Sequence, residues 1–380
     1  MKIKEIKLHN FTIPLKEPKT WGWGTRRYSS TILVEIIDDE GSIGYGEIDY
    51  SNNQYFLENN IIPELIGASV YDLEKLYRKY LKLGYRLGSL EWSGIQTALY
   101  DLIGKKLNIP IYNLIGGLYR EKVKIAPTIS IDEIDKNVIE IKDLKNKGFA
   151  AFNLKAGRNI NHDIELVKTI REEVGYEIDI SLNFNMLLSL PTAITFLRKA
   201  EKYDIEFIFT PLEKGAMNGY RRLKAISSVP ISIHDELTTN EEVARYCFNE
   251  AMDIGSVYVG VTAGIYESKK VCATCEAYAL PVIPLAGELG INQVVCLHLA
   301  CSTPNVIYPI HSEYLDFSDD ILIGGKIKFD NGFLSPTGKP GIGVEIDWDK
   351  LALYKELYIK VKKNNSFDEK ESEFITYSMR

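Results

Sequence analysis

Apolar and polar residues alternate with two different periods along the first third of the chain. Three segments alternate with a period of two, residues 3–15, 30–38 and 43–49. The turn sequence Asp38–Gly41 separates the second from the third, so the pattern predicts an antiparallel meander. Three segments with the 3.6-residue period of helices follow, near 54–64, 71–80 and 89–107. The N-terminal part is therefore predicted to be a small α+β unit.

From about residue 123 the rhythm changes, and short apolar runs alternate with amphipathic helical patterns. The predicted strands are residues 123–131, 150–156, 179–185, 206–212, 230–236, 253–260, 280–286 and 305–311. Eight strands that alternate with helices, at spacings of about 25 residues, predict a closed (β/α)8 barrel of the TIM type rather than an open sheet. Turn sequences follow residue 325, and a last helix is predicted near 348–362.

The segment between the first two strands, Lys19 to Tyr28, contains two Trp, two Gly and two Arg. An irregular loop of this composition is typical of a mobile lid that contacts a ligand, which makes Trp21 a candidate substrate-binding residue. A packed aromatic loop explains the same residues equally well.

Composition and charge narrow the class of partner. A net charge of −7 argues against nucleic acid, and no apolar run is long enough to span a membrane. The chain starts directly with a strand pattern rather than a signal peptide. Five scattered Cys, including Cys272 and Cys275 within a helical pattern, favour reduced thiols in a core. We therefore expect a cytoplasmic protein whose partner is a small-molecule substrate.

The stretch from Ala150 to Gly157 carries the first candidate for chemistry. It is apolar, alternates, and ends in a turn, so Asn153 and Lys155 share one face of a buried strand. If that face is the barrel interior, Lys155 lies at the mouth, where a desolvated amine can act as a base. The alternative is a solvated lysine in a strand-to-helix loop.

Short motifs spread over the whole chain resemble those of one family. They are Gly44–Glu47 (G-x-G-E), Ala98–Lys105 (A-L-x-D-x-x-G-K), Tyr112–Gly117, Leu297–Asn305 and Gly332–Asp347. With these motifs the chain resembles the enolase superfamily, in particular its mandelate racemase/muconate lactonizing enzyme group. The resemblance implies an N-terminal capping domain (1–122) with lid loops, a barrel (123–325) and a C-terminal segment (326–380) that returns to the cap. It also implies a homo-oligomer.

The family pattern also locates a metal site, and here the chain departs from it. In the family, barrel strands three, four and five each give one carboxylate to Mg²⁺. The corresponding residues here are Asn183, Phe209 and Asp235, so only Asp235 keeps its acid. Because Mg²⁺ needs hard oxygen ligands and Phe209 offers none, we expect no cofactor, or at most weakly bound Mg²⁺.

The resemblance assigns the remaining candidates. Lys155 matches the strand-two acid/base lysine, Tyr258 stands at the strand-six position, and His311 ends strand eight, so these three are the predicted catalytic residues. The predicted substrate-binding residues are Asn153, Asn183, Asn185, Phe209, Glu288 and Trp21. Plain structural roles remain open for Tyr258 and His311, and Asp235 could instead pair with Lys155. Alternation turns His234 away from the barrel axis, and His298 falls in a core stripe.

Together these features predict a divergent isomerase or lyase, similar to a racemase, epimerase or cycloisomerase. It would act on a small carboxylate-type or activated carbonyl substrate through proton transfer by Lys155, with little or no metal. Two alternatives stay open. One is a non-catalytic barrel that binds a small ligand, and the other is a conventional Mg²⁺-dependent epimerase or cycloisomerase whose ligands lie elsewhere in the sequence.

Overall fold

The computed structural model describes residues 1–22, 24–49, 54–84, 89–234, 237–286 and 289–361. The first of its two units begins with a three-stranded sheet. Its strands are β1 (Ile3–Trp21), β2 (Gly24–Asp38) and β3 (Ile43–Asp49), paired antiparallel in that order. The alternation predicted from the sequence is confirmed, because one face of β2 buries Ile32, Val34 and Ile36 against helices.

The sequence predicted an irregular loop at residues 19–28. This prediction is wrong for the described residues, which exclude Trp23. The pairing of β1 with β2 resumes after a register shift between Pro14 and Lys19 and continues to Trp21 opposite Gly24. Thr, Trp and Tyr favour extended backbone, and cross-strand partners outweigh the two Gly that suggested a loop. The segment is the tip of a hairpin, with Trp21 only 4% exposed.

Helices cover one face of this sheet. They are α1 (Gln54–Phe56), α2 (Ile62–Leu65), α3 (Leu73–Gly84), α4 (Ser89–Leu107) and α5 (Ile111–Leu114), with a π-turn at Leu57–Ile61. Helix α4 lies very close to β3, because glycines remove side chains from the contact. A Cβ placed on Gly46 would lie 1.9 Å from the carbonyl oxygen of Gly94. Trp92, Ile95 and Leu99 fill the rest of this core.

We expect Gly46→Ala to destabilise the protein by about 3 kcal/mol, because the contact is with backbone that cannot move aside alone. Urea denaturation of the purified variant measures this loss of unfolding free energy. Gly41→Ala is the matched control: Gly41 has φ +86° and open space around it, so only backbone strain of about 1 kcal/mol is expected there. Equal losses in the two variants would contradict the close packing of β3 on α4.

Eight parallel strands form the second unit. They are β4 (Val123–Ile129), β5 (Ala151–Lys155), β6 (Asp179–Asn183), β7 (Phe207–Phe209), β8 (Ile231–Ser232), β9 (Gly255–Tyr258), β10 (Val282–Ala286) and β11 (Ile310–Ser312). They pair in the order β8-β7-β6-β5-β4-β11-β10-β9. A parallel bridge between Ser232 and Ile254 joins the two ends, so the sheet closes as the TIM barrel predicted. Strand β11 begins later than predicted, because Pro309 cannot donate to the strand ladder.

Helices surround the barrel and connect its strands. They are α6 (Ile134–Asn146), α7 (Ile160–Glu173), α8 (Leu190–Ala200), α9 (Met217–Ile226), α10 (Asn240–Phe248), α11 (Ile265–Ala277) and α12 (Gly290–Cys301), with 3₁₀ turns at Glu201–Tyr203 and Tyr314–Asp316. Thr239 and Glu242 form a capping box at the start of α10. His298 on α12 is 1% exposed, and Cys272 and Cys275 on α11 are buried free thiols, so all three are core residues as predicted.

The C-terminal segment contacts both units. Strand β12 (Phe333–Leu334) pairs antiparallel with β4, and α13 (Trp348–Val361) packs against β1. The backbone N–H of Ile342 donates to Asp101 of α4 at 2.8 Å. Boundaries at residues 122 and 325 stay a prediction. None of the helices in the described part of the chain combines the length and apolarity that a membrane crossing needs.

Candidate active site

Lys155 and Asn183 lie side by side at the carboxyl ends of β5 and β6. The register pairs Lys155 with Asn183 and Asn183 with Phe209, so these three residues form one layer across neighbouring strands. Asn153, two residues earlier, opposes Thr128 of β4. Period two points all of these side chains to the same side of the sheet, and the barrel places them at its mouth, where TIM-barrel active sites lie.

Lys155 is 8% exposed and has a carboxylate partner that the sequence analysis missed. Its Nζ lies 3.5 Å from Oε1 of Glu313, which follows β11. Trp21 Nε1 donates to the same oxygen at 3.1 Å, and Arg26 approaches the other oxygen at 3.7 Å. The signal was available, because Glu313 lies two residues after His311 and period two gives it the same side. Glu313 therefore joins the hairpin tip to Lys155.

The predicted competing partner of Lys155, Asp235, lies outside the described residues, as does Glu288. Trp21 lies at the mouth, as a substrate-binding residue should, but its indole N–H is already bonded to Glu313. Its ring lies under Arg26, whose guanidinium carbon is 5.8 Å from the ring centroid. Trp21 thus helps to hold Glu313 in place. A ligand could contact Trp21 only through the part of its ring that Arg26 does not cover.

Aromatic rings fill the barrel interior next to Lys155. Phe209 is fully buried, and its ring centroid lies 5.0 Å from that of Phe207 and 5.2 Å from that of His311. The imidazole of His311 also stacks on Phe207 at 5.6 Å. Burial, followed by the electrostatic effects of His234 and Lys155, lowers the pKa of His311 to about 3. His311 is therefore a neutral imidazole near pH 7, which excludes proton donation from an imidazolium there.

The prediction that His234 turns away from the barrel axis is wrong. Its ring centroid lies 6.1 Å from Phe209 and 6.4 Å from Tyr258, both of which face the interior. Strand β8 ends at Ser232, so strand alternation no longer applies two residues later. His234 consequently belongs to the wall of the candidate site.

His311 should make the protein sensitive to acid. The unfolded chain binds a proton at His311 below pH 6.5, whereas the folded protein does so only near pH 3, so stability falls as pH drops through this window. His311→Phe keeps the ring packing but has no group to protonate. Between pH 7 and pH 4 we expect its free energy of unfolding to fall by roughly 3 kcal/mol less than that of the parent. Urea denaturation at several pH values measures how the unfolding free energy of each protein changes with pH.

His162→Phe is the control for that comparison. A hydrogen bond with Asp163 raises the pKa of His162, so this group acts on the pH dependence with the opposite sign. Parallel stability curves for the parent and His311→Phe would show that His311 is not held neutral in the folded protein.

Tyr258 faces Lys155 across the barrel. The closed order of eight strands places β9 four positions from β5 in either direction, which is diametrically opposite. The Tyr258 hydroxyl donates to Oδ2 of Asp49, at the end of β3, at 2.5 Å. Burial, then the charge of Asp49 and this hydrogen bond, raise the pKa of Tyr258 well above its usual value. Tyr258 as a whole residue is partly exposed.

Three asparagines on β5, on β6 and just after β6 supply amide groups on the Lys155 side. Asn183 Oδ1 accepts from the backbone N–H of Asn185 at 3.0 Å. Asn153 Nδ2 donates to Thr128 Oγ1 at 3.3 Å, while its buried Oδ1 has no hydrogen-bond partner among the described residues. Asn185 has φ +45°, which turns the chain out of β6 into the loop. A buried amide oxygen without a partner is costly unless a ligand donor meets it.

The donors at the family's metal positions do not fit Mg²⁺. Asn183 engages its amide oxygen with backbone, and Phe209 contributes a buried ring without a ligand atom. Within the described ranges, no three His, Cys, Asp or Glu residues come together in a group that could hold a metal ion. Mg²⁺ usually binds through one or two carboxylates, and the acid retained in the sequence, Asp235, falls outside these ranges.

Comparison with known proteins agrees with this architecture. Residues 3–116 match the mandelate racemase/muconate lactonizing enzyme N-terminal domain, and residues 138–350 match the enolase C-terminal domain-like model. The N-succinyl-L-Arg/Lys racemase of Bacillus cereus is 27% identical over 92% of this chain and 97% of the relative. A D-galactonate dehydratase of Cronobacter sakazakii is 29% identical over 84% of this chain and 90% of the relative.

The three-dimensional comparison gives the same result. The crystal structure of the N-succinyl Arg/Lys racemase from Bacillus cereus matches with a TM-score of 0.87 and 26% identity, over 93% of this chain and 98% of that one. These relatives are enzymes of the isomerase and lyase types, and the chain is an enzyme of this broad kind. Both family models lie in series along it, and the chain therefore belongs to the mandelate racemase/muconate lactonizing enzyme family of the enolase superfamily.

Proposed function

We propose that the protein is an isomerase or lyase that moves a proton at a carbon next to a carboxylate or an activated carbonyl, with Lys155 as the proton-transfer group. The observation that carries this proposal is the position of Lys155. It ends a central barrel strand, is 8% exposed, and lies beside Glu313 at the mouth. An amine held between a carboxylate and a dry aromatic wall is positioned to exchange protons with a bound substrate.

The site is proposed to work with little or no metal. Removing a proton next to a carbonyl creates negative charge on its oxygen, which family members stabilise with Mg²⁺. Hydrogen-bond donors must then replace the ion, and they act most strongly where water is excluded. We assign this role to Lys155 Nζ and the amides of Asn153 and Asn183, which lie on the same side of two neighbouring strands. Such donors suit an activated carbonyl substrate better than a simple carboxylate.

Tyr258 and the aromatic wall complete the proposed site. Tyr258 meets the substrate from the side opposite Lys155, while Phe209, His311 and His234 exclude water below it. A neutral His311 offers one ring nitrogen as donor and the other as acceptor, and its Nδ1 has no hydrogen-bond partner among the described residues. His311 therefore enters the proposal as a hydrogen-bonding wall residue rather than as the acid.

Solvent deuterium incorporation tests the proposed activity. The protein is incubated in D₂O with a library of small acids, their N-acylated amino acid derivatives and their amides, once with Mg²⁺ and once with a chelator. We expect exchange at the α-carbon of at least one compound, at similar rates in both conditions. Exchange that requires Mg²⁺ would support the conventional metal-dependent epimerase instead.

Compounds that bind without any exchange would support a second candidate, a non-catalytic ligand-binding barrel. The lost ligand positions at Asn183 and Phe209 are the observation that favours it, since both remove catalytic groups of the family. A small-molecule ligand, a cytoplasmic location and a homo-oligomeric state belong to either proposal. Sedimentation analysis measures the oligomeric state directly.

A further inference from the structure

We propose that Asp49, a cap residue, positions Tyr258 as a proton acceptor, so that a tyrosine–aspartate pair serves the side of the site opposite Lys155. The inference rests on the proposed proton-transfer function and names a residue that the sequence analysis did not select. Asp49 ends β3 of the N-terminal sheet, whereas Tyr258 ends β9 of the barrel. The pair therefore joins the two units at the mouth.

The direction of the hydrogen bonds defines the role of each atom. Tyr258 O–H and Asn292 Nδ2 both donate to Oδ2 of Asp49, at 2.5 Å and 2.9 Å. Oδ2 of Asp49 therefore accepts two hydrogen bonds, as an ionised carboxylate oxygen can. The Tyr258 proton is consequently committed to Asp49, and the lone pairs of the phenol oxygen are left to accept from a ligand.

The surroundings of Asp49 are built rather than incidental. Asp49 and Asn292 are both buried, at 0% and 1% exposure. Glu47, two residues earlier, accepts from the backbone N–H groups of Ile291 and Asn292 at 3.1 Å and 3.3 Å, which fixes the start of α12 against β3. This contact holds Asn292 where its amide reaches Asp49. The carboxylate thus has a fixed orientation toward Tyr258.

Burial raises the affinity of Asp49 for a proton. Desolvation raises the pKa of Asp49, against the hydrogen bonds from Tyr258 and Asn292 and the charge of Arg26. A buried carboxylate that gains a proton from Tyr258 is relieved of its desolvation cost. This relief makes Asp49 a suitable final acceptor for a proton that passes through the phenol.

The proton-transfer step balances without any co-reactant. The substrate α-carbon gives its proton to the Tyr258 oxygen, and the Tyr258 hydroxyl proton passes to Asp49 Oδ2. The electrons of the broken C–H bond move into the adjacent carbonyl, whose oxygen gains the charge. Lys155 returns a proton to the opposite face of the carbon, and the reverse sequence serves the other stereoisomer. Asp49 acts only through Tyr258 and is a positioning residue.

One test of the pair needs no substrate. Difluorotyrosine incorporated at position 258 ionises at lower pH than tyrosine, and its phenolate absorbance reports the ionisation. Asp49→Asn keeps a hydrogen-bond acceptor of the same shape but removes the charge. We expect the residue at 258 to ionise at least one pH unit lower in Asp49→Asn than in the parent. Asp38→Asn, a buried aspartate at the far end of the neighbouring strand, is the control and should cause no shift. Equal ionisation in all three proteins would overturn the proposal.

The second test uses the separated stereoisomers of a substrate found in the D₂O library. The parent should exchange both, Asp49→Asn and Tyr258→Phe should each lose one, and Lys155→Ala should lose the other. An Asp49→Asn protein that exchanges both stereoisomers at parental rates would also overturn the proposal. If the parent exchanges neither, the proposed function fails, and the ionisation measurement still decides whether Asp49 controls Tyr258.

Discussion

Lys155→Ala is expected to lower the exchange of one substrate stereoisomer by about 10²–10⁴-fold and to stop interconversion of the two forms. Lys155 Nζ is the amine of the layer formed with Asn183 and Phe209, and Glu313 balances its charge at 3.5 Å. Removal of the side chain leaves that face of the substrate without a proton-transfer group. Mass spectrometry of the recovered substrate measures the deuterium content of each stereoisomer.

Two variants separate chemistry from structure in that experiment. Lys147→Ala removes a lysine from the surface pair with Asp143 and should leave exchange unchanged. Glu313→Gln keeps the hydrogen bond from Trp21 but removes the charge beside Lys155, so it should alter the pH dependence of exchange more than the melting temperature. Parental exchange of both stereoisomers by a folded Lys155→Ala protein would remove this residue from the mechanism.

The double variant Asn183→Asp/Phe209→Glu is expected to bind Mg²⁺ more tightly than the parent. Both substitutions restore carboxylates on adjacent strand ends, at positions that the register pairs directly. Without metal the variant should be less stable by about 3–5 kcal/mol, because Phe209 is fully buried and a charge replaces its ring. Mg²⁺ at 100 times its dissociation constant should return about 2.7 kcal/mol of stability.

Titration calorimetry and melting curves with and without Mg²⁺ check this gain. The single variant Asn183→Asp is the control, since it adds one carboxylate while Phe209 still fills the space. Neither the control nor the parent should show a melting temperature that rises with Mg²⁺. A clear rise for the parent, lost in Asp235→Ala, would revive the conventional metal-dependent enzyme. A folded double variant that binds no Mg²⁺ would mean that these positions do not face one another as described.

The strand and helix sequence was predictable because local patterns encode it. Each predicted strand overlaps an observed one. Period two placed Asn153 and Lys155 on one strand face, and the family resemblance assigned Asn183 to the site. Even the core role of His298 followed from its helical stripe.

Where the predictions were wrong, a long-range contact outweighed the local pattern. The hairpin tip at Trp21 contains Gly and Arg like a loop, but strand pairing with β2 extends it. His234 follows a strand that ends at Ser232, so its direction depends on where the barrel closes. Glu313 and Asp49 lie 158 and 209 residues from Lys155 and Tyr258, respectively, in the sequence. Period two indicates the side on which Glu313 lies, but no local pattern pairs Glu313 with Lys155 or Asp49 with Tyr258.

The sequence by itself determined the barrel, the cap and the strand face that Lys155 shares with Asn153, because each depends on residue type and on periodicity within one segment. Tertiary structure alone decided which groups meet at the mouth. The closing of the ring sets Tyr258 opposite Lys155, and the docking of the cap brings Asp49 to Tyr258 and the hairpin to Glu313. These contacts follow from the packing of whole units, since the ionic and hydrogen-bond partners come from different strands, loops and domains.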